Sequence, residues 1–120
     1  MCSLIKWDNT GFVADIKHKY VQNIARCAGE CKNIDHIVLF GSATGTHCTD
    51  DSDIDIAVFG EKPQSAYLRS KEFKHFQRQV FSFEEDFGQD YDILYFSPHD
   101  RLNKELIANV NRGTVIYRRS

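Results

Sequence analysis

Three aspartates and one Gly-Ser pair are the residues of this chain whose types and spacing could do chemistry. Asp53 and Asp55 alternate with isoleucine in "SDIDIAVF". Two apart on a strand, both carboxylates project from one face, with Cα atoms about 6.5–7 Å apart. Like charges that close repel and raise each other's pKa, and a divalent cation reverses that penalty. Mg²⁺ suits such a pair, because it takes one or two carboxylates and completes its shell with water and phosphate oxygens. Asp92 puts another acid inside an apolar stretch, "YDILYF". On a neighbouring strand it would make a cluster of three, able to hold two ions about 3.5–4 Å apart, the separation used for in-line phosphoryl displacement.

Gly41 and Ser42 follow directly on the apolar run "HIVLF". Glycine lets backbone approach a ligand closely, and a turn opening at Ser42 would direct N–H groups outward, which makes an anion site beside the aspartates. Three other motifs fail on the letters. A Walker-type phosphate loop ends in Gly-Lys-Ser/Thr, whereas this stretch has Gly45-Thr46-His47. The glycine pattern of a dinucleotide fingerprint is absent from "GSATGT". Asp51, Asp53 and Asp55 match the first, third and fifth positions of a calcium loop, but Ile56 stands where glycine is required and Lys62 where a bidentate acid is required.

These residues need elements to position them. Val13, Ile16, Tyr20, Ile24 and Cys27 recur at three and four and predict an amphipathic helix over 10–28, stopped at Gly29. "HIVLFG" reads as a buried strand, and "DIDIAVF" as a two-faced one, with Ile54, Ile56 and Val58 opposite Asp53, Asp55 and Ala57. Pro63 opens a second helix running to about residue 83 with an apolar stripe of Phe73, Phe76, Val80 and Phe83. Arg69, Lys71, Lys74 and Arg78 between them read as its solvated face. "YDILYF" is a third strand. Ser97, Pro98 and Asp100 suit the cap, first and third positions of another helix, with Leu102, Leu106 and Val110 on its core face and Gly113 at its stop. "TVIY" adds a last short strand. Tyr67, Tyr91 and Tyr95 read as packing residues, Asp50 and Asp51 as turn residues, and His47 and Cys48 as loop. The whole predicts a small α/β (α+β) fold, a mixed sheet with flanking helices, with the first two strands side by side.

Length and composition set the class. A chain of 120 residues, 42% hydrophobic and 27% charged, suits one compact domain over 1–120. A net charge of −2 gives no general pull toward nucleic acid or an anionic membrane. No apolar run approaches the roughly 20 residues of a membrane span, and the start lacks the features of a secretory signal. Reduced thiols in the cytoplasm are therefore the expectation for Cys2, Cys27, Cys31 and Cys48. Structural zinc is not expected, because Cys27 and Cys31 have no second tight pair among His36, His47 and Cys48, and Cys27 falls on a helix stripe.

An apolar residue, Gly-Ser, a spacer of ten, Asp-apolar-Asp-apolar and a later strand-borne acid resemble the nucleotidyltransferase superfamily that includes DNA polymerase beta. Here these are Phe40, Gly41-Ser42, Asp53-Ile54-Asp55-Ile56 and Asp92, with the resemblance running over about 34–96 and again at "GTVIY". It implies the nucleotidyltransferase fold and transfer of a nucleoside monophosphate from ATP or another NTP to an acceptor, with release of pyrophosphate. It implies Asp53, Asp55 and Asp92 as metal-binding and catalytic residues for two Mg²⁺ ions, with Mn²⁺ as an alternative. Gly41 and Ser42 would hold the nucleotide phosphates. With so little chain beyond this core, the acceptor surface is expected from a partner or a second subunit. In this the chain resembles minimal nucleotidyltransferases that act as antitoxins beside helical HEPN toxins, placing AMP on a toxin tyrosine. Small active members carry arginine soon after Gly-Ser, where this chain has Ala43 and Thr44. Two alternatives stay open: a binding subunit that neutralises its partner by contact, and a dimeric enzyme acting on a small molecule.

Overall fold

The computed structural model describes residues 2–8, 10–83, 89–101 and 103–119. Its centre is a four-stranded mixed sheet of β3 (His36–Phe40), β4 (Ile54–Phe59), β5 (Tyr91–Phe96) and β6 (Thr114–Arg118), in the order β5-β4-β3-β6. β3 runs antiparallel to both β4 and β6, whereas β4 and β5 are parallel. The expected side-by-side pairing of the first two core strands is present, and so is the two-faced character of β4. Ile54, Ile56 and Val58 are fully buried in one cluster, and Ala57 in another on the opposite face.

Helices cover both faces. α1 (His18–Gly29) buries Tyr20, Val21, Ile24, Cys27 and Ala28, and α3 (Lys71–Phe81) buries Phe73, Phe76 and Val80, in the cluster that holds the isoleucines of β4. α4 (Lys104–Asn111) sets Leu106 and Val110 against Val38, Phe40, Ala57 and Phe96 on the other face. Lys71, Lys74 and Arg78 of α3 are exposed, as is Arg69 before it, as their solvated-face reading requires.

Three boundaries differ from the sequence-based expectation. Residues 10–17 are not α-helical. β1 (Leu4–Trp7) and β2 (Gly11–Ala14) form an antiparallel hairpin, and a 3₁₀ turn over Asp15–Lys17 leads into α1. The hairpin docks on β6: the Phe12 N–H donates to Thr114 Oγ1 at 3.0 Å, and that hydroxyl donates to the Phe12 carbonyl at 2.8 Å. A Cβ on Gly11 would run into the same hydroxyl, so glycine permits the approach. Val13 kept the helical spacing but is buried from a strand, because pairing with Ile5 of β1 and docking of the hairpin on Thr114 outweigh a period read locally.

The helix expected over 63–83 breaks in two, α2 (Gln64–Leu68) and α3. Ser70 stands between them, and its Oγ accepts from the Phe73 N–H at 3.1 Å, capping α3. The break lets Tyr67, fully buried, stack on Tyr95 with ring centroids 4.3 Å apart. Tyr91 is half-buried against the same cluster, so all three tyrosines pack.

The last helix begins later than Ser97. Asn103 is its cap, its Oδ1 accepting from the Glu105 and Leu106 N–H groups at 3.0 and 3.1 Å. Ser97 and Asp100 make a turn instead, the Ser97 hydroxyl donating to Asp100 Oδ2 at 2.6 Å while that oxygen also accepts from the Gln64 N–H. Ser97 therefore does not cap a helix, and the bonds at Asp100 instead tie the end of β5 to the start of α2. Leu102 lies outside the described residues. Among the described residues, no helix is long and apolar enough to cross a membrane.

Candidate active site at the Gly41 end of the sheet

Asp55 stands near the start of β4, opposite Phe40 in β3 and level with Asp92 in β5. The parallel register of β4 and β5 therefore puts two carboxylates on adjacent strands at one end of the sheet. Asp53 precedes the first residue of β4 by one position, so it borders the strand rather than lying within it. Asp53 and Asp92 are exposed and Asp55 is half-buried. Burial raises the Asp55 pKa above the ordinary carboxylate value, and the charges of Asp92 and Asp53 raise it further. The charges of both Asp53 and Asp92 thus reach Asp55.

Gly41 closes the site from the β3 side. Its φ is +76°, in the left-handed region, and a Cβ there would overlap the Asp55 carboxylate. Both facts require glycine where the chain leaves β3. A 3₁₀ turn over Gly41–Thr44 follows, held by the Thr44 hydroxyl donating to the Gly41 carbonyl at 2.8 Å and anchored by the fully buried Ala43. Ser42 is exposed on that turn. The sequence expectation of a short helical turn after the first core strand, beside the aspartates, is met.

Among the described residues, no three carboxylates, imidazoles or thiols stand close enough to form a ready-made metal site. The donors nevertheless suit a hard cation. They are carboxylates on neighbouring positions, two of them open to solvent, and their mutual repulsion is the energy a divalent ion would relieve.

Lys17 contributes to the site's frame and was not expected from its type. It is 1% exposed, and its Nζ donates to the Asp50 carbonyl at 3.1 Å and to Gln89 Oε1 at 2.5 Å. Gln89 in turn donates to the Ser52 carbonyl at 3.1 Å. This pair pins the loop that delivers Asp53 to the start of β5. A signal existed: Lys17, Val21, Ile24 and Ala28 share helical spacing, so a cation stood on a buried stripe. Asp50 and Asp51 are exposed turn residues, as read, and His47 is exposed. Cys48 lies in the loop, as expected. It is buried, and its carbonyl accepts from the Cys2 thiol, which fastens the chain before β1 to this loop. A separate concavity of about 390 Å³ lies along α3 by Lys74, Gln77, Arg78 and Phe81, away from the site residues.

The family described as "Polymerase beta, Nucleotidyltransferase" matches residues 22–120. The match takes in the four-stranded sheet, Gly41-Ser42 and all three aspartates, while the β1-β2 hairpin lies outside it. No curated protein matches the chain. The greater part of the sequence, folded as a mixed sheet with Gly41 packed on Asp55 and Asp55 level with Asp92, belongs to the polymerase beta-type nucleotidyltransferases.

Proposed function

We propose that this nucleotidyltransferase moves AMP from ATP onto an acceptor group carried by a partner protein, in the manner of an antitoxin acting on a tyrosine of a HEPN-type toxin. The register of Asp55 with Asp92, beside Gly41, is the observation that carries this reading. The acceptor oxygen attacks the α-phosphorus, the bond from that phosphorus to the α,β-bridging oxygen breaks, and pyrophosphate leaves. The acceptor proton passes to Asp92 or to water. Asp53, Asp55 and Asp92 would hold Mg²⁺, which supplies charge neutralisation at the transferring phosphoryl group. Gly41 and Ser42 bind the phosphates through their backbone. Because Asp53 and Asp92 are exposed, an acceptor on another macromolecule can reach the site.

The test is incubation with α-labelled ATP, Mg²⁺ and the candidate partner. Label appears on the partner with the native chain and not with Asp53→Asn or Asp55→Asn. Equal labelling by the variants sinks the proposal.

A second reading has its own support. Ala43 is fully buried and the Thr44 hydroxyl is engaged by Gly41, so the positions after Gly-Ser offer no cation for the nucleotide. On this reading the chain silences its partner by contact alone. Unchanged neutralisation by the Asp53→Asn/Asp55→Asn double variant is its expected result, and loss of neutralisation removes it.

A further inference from the structure

Resting on the transferase reading above, we propose that Arg112, with Asn109, binds the terminal phosphates of the nucleotide and supplies from the end of α4 the cation that the Gly-Ser turn lacks. A cleft of about 210 Å³ opens against Gly41, lined by Phe40, Gly41, Thr44, Asn109, Arg112 and Gly113. Strand order explains the meeting. β3 lies between β4 and β6, so Gly41 has Asp55 on one flank and the residues leading into β6 on the other. β6 pairs antiparallel with β3, Thr114 opposite Leu39, which returns the end of α4 to the end of the sheet where β3 gives way to Gly41.

Among the described residues that line this cleft, Arg112 is the one basic side chain. Among the described residues its guanidinium has no hydrogen bond or ion pair, and the Asn109 amide has none either. Guanidinium recognises phosphate oxygens in a fork, with charge-assisted bonds. A polyphosphate approaching Asp53, Asp55 and Asp92 meets three like charges, so a cation across Gly41 from them orients the tail away from the carboxylates. Arg112 also follows the last residue of α4, where a cation is favoured by the helix dipole. That role would affect stability, not ligand choice, and a lysine would fill it equally well.

The experiment is calorimetric titration of the full chain with Mg²⁺ and three probes: ATP, AMP and inorganic tripolyphosphate. Arg112→Gln should weaken ATP and tripolyphosphate about ten- to hundredfold and leave AMP within about twofold, with Arg112→Lys intermediate. Asn109→Ala should weaken the same two probes less. Thermal unfolding of each variant separates loss of the site from loss of the fold. Tripolyphosphate affinity unchanged in folded Arg112→Gln overturns the proposal, as does an equal loss for AMP, or no tripolyphosphate binding by the native chain. The two readings fail separately. Transfer that needs Asp55 while Arg112→Gln binds normally removes this proposal alone. Tripolyphosphate binding that needs Arg112, in a chain that labels no acceptor, removes the transferase reading alone.

Discussion

Asp55 and Asp92 are register partners on the parallel strands β4 and β5, and this one pairing joins the two halves of the acidic site. Asp92 is exposed at its strand end, whereas Asp55 is half-buried. Burial raises the Asp55 pKa above its ordinary value, and the charge of Asp92 placed level with it raises it further.

The sign of that effect predicts a pH dependence. A carboxyl whose folded pKa is raised binds protons more tightly folded than unfolded, so stability falls as pH rises through the interval above the ordinary value of 3.8. In EDTA, urea unfolding across that interval should show the fall in the native chain. Asp55→Asn should flatten it and be at least as stable at neutral pH, while Mg²⁺ should restore stability to the native chain only. A native chain that gains stability as pH rises through this interval contradicts the assignment.

Gly41→Ala should be costly in two measurements. The φ of +76° and the overlap of a Cβ with the Asp55 carboxylate each oppose a side chain. Destabilisation of about 1–3 kcal/mol is expected from the strain, read as a lowered urea midpoint. Nucleotide transfer should fall with it, because the overlap displaces Asp55 itself.

Lys17→Met keeps the buried aliphatic stem and removes both Nζ hydrogen bonds. A loss of about 1–3 kcal/mol is expected. Amide exchange should quicken over residues 49–53, the loop that Lys17 and Gln89 hold. Exchange unchanged there would show that the loop is held by its own turn, in which the Ser52 N–H donates to the Thr49 carbonyl at 3.0 Å.

Asn103→Ala removes the acceptor for two N–H groups at the start of α4. The expected cost is about 1 kcal/mol, measured by denaturant unfolding. Ser97→Ala should leave the start of α4 unchanged, since its hydroxyl serves the turn to Asp100.

What the sequence determined by itself is local and periodic. The alternation in "DIDIAVF" required one face of isoleucine and one of aspartate, because side chains on a strand alternate whatever their partners. The stripe of Phe73, Phe76 and Val80 required a helix face for the same kind of reason, and Gly41-Ser42 after an apolar strand required a turn beside it. What the tertiary structure decided depends on pairing between distant segments. Val13 kept a helical period and became part of a strand once Thr114 offered hydrogen bonds to Phe12. Ser70 split the helix expected from Pro63 to about residue 83 by capping its second half, and Tyr67 before the break stacks on Tyr95. The level placement of Asp92 beside Asp55, and of Arg112 across Gly41, follows from strand order and register. The alternation within each strand limits its register, since a one-residue slip would turn the buried face outward, but which distant strands become neighbours is decided only when the sheet assembles.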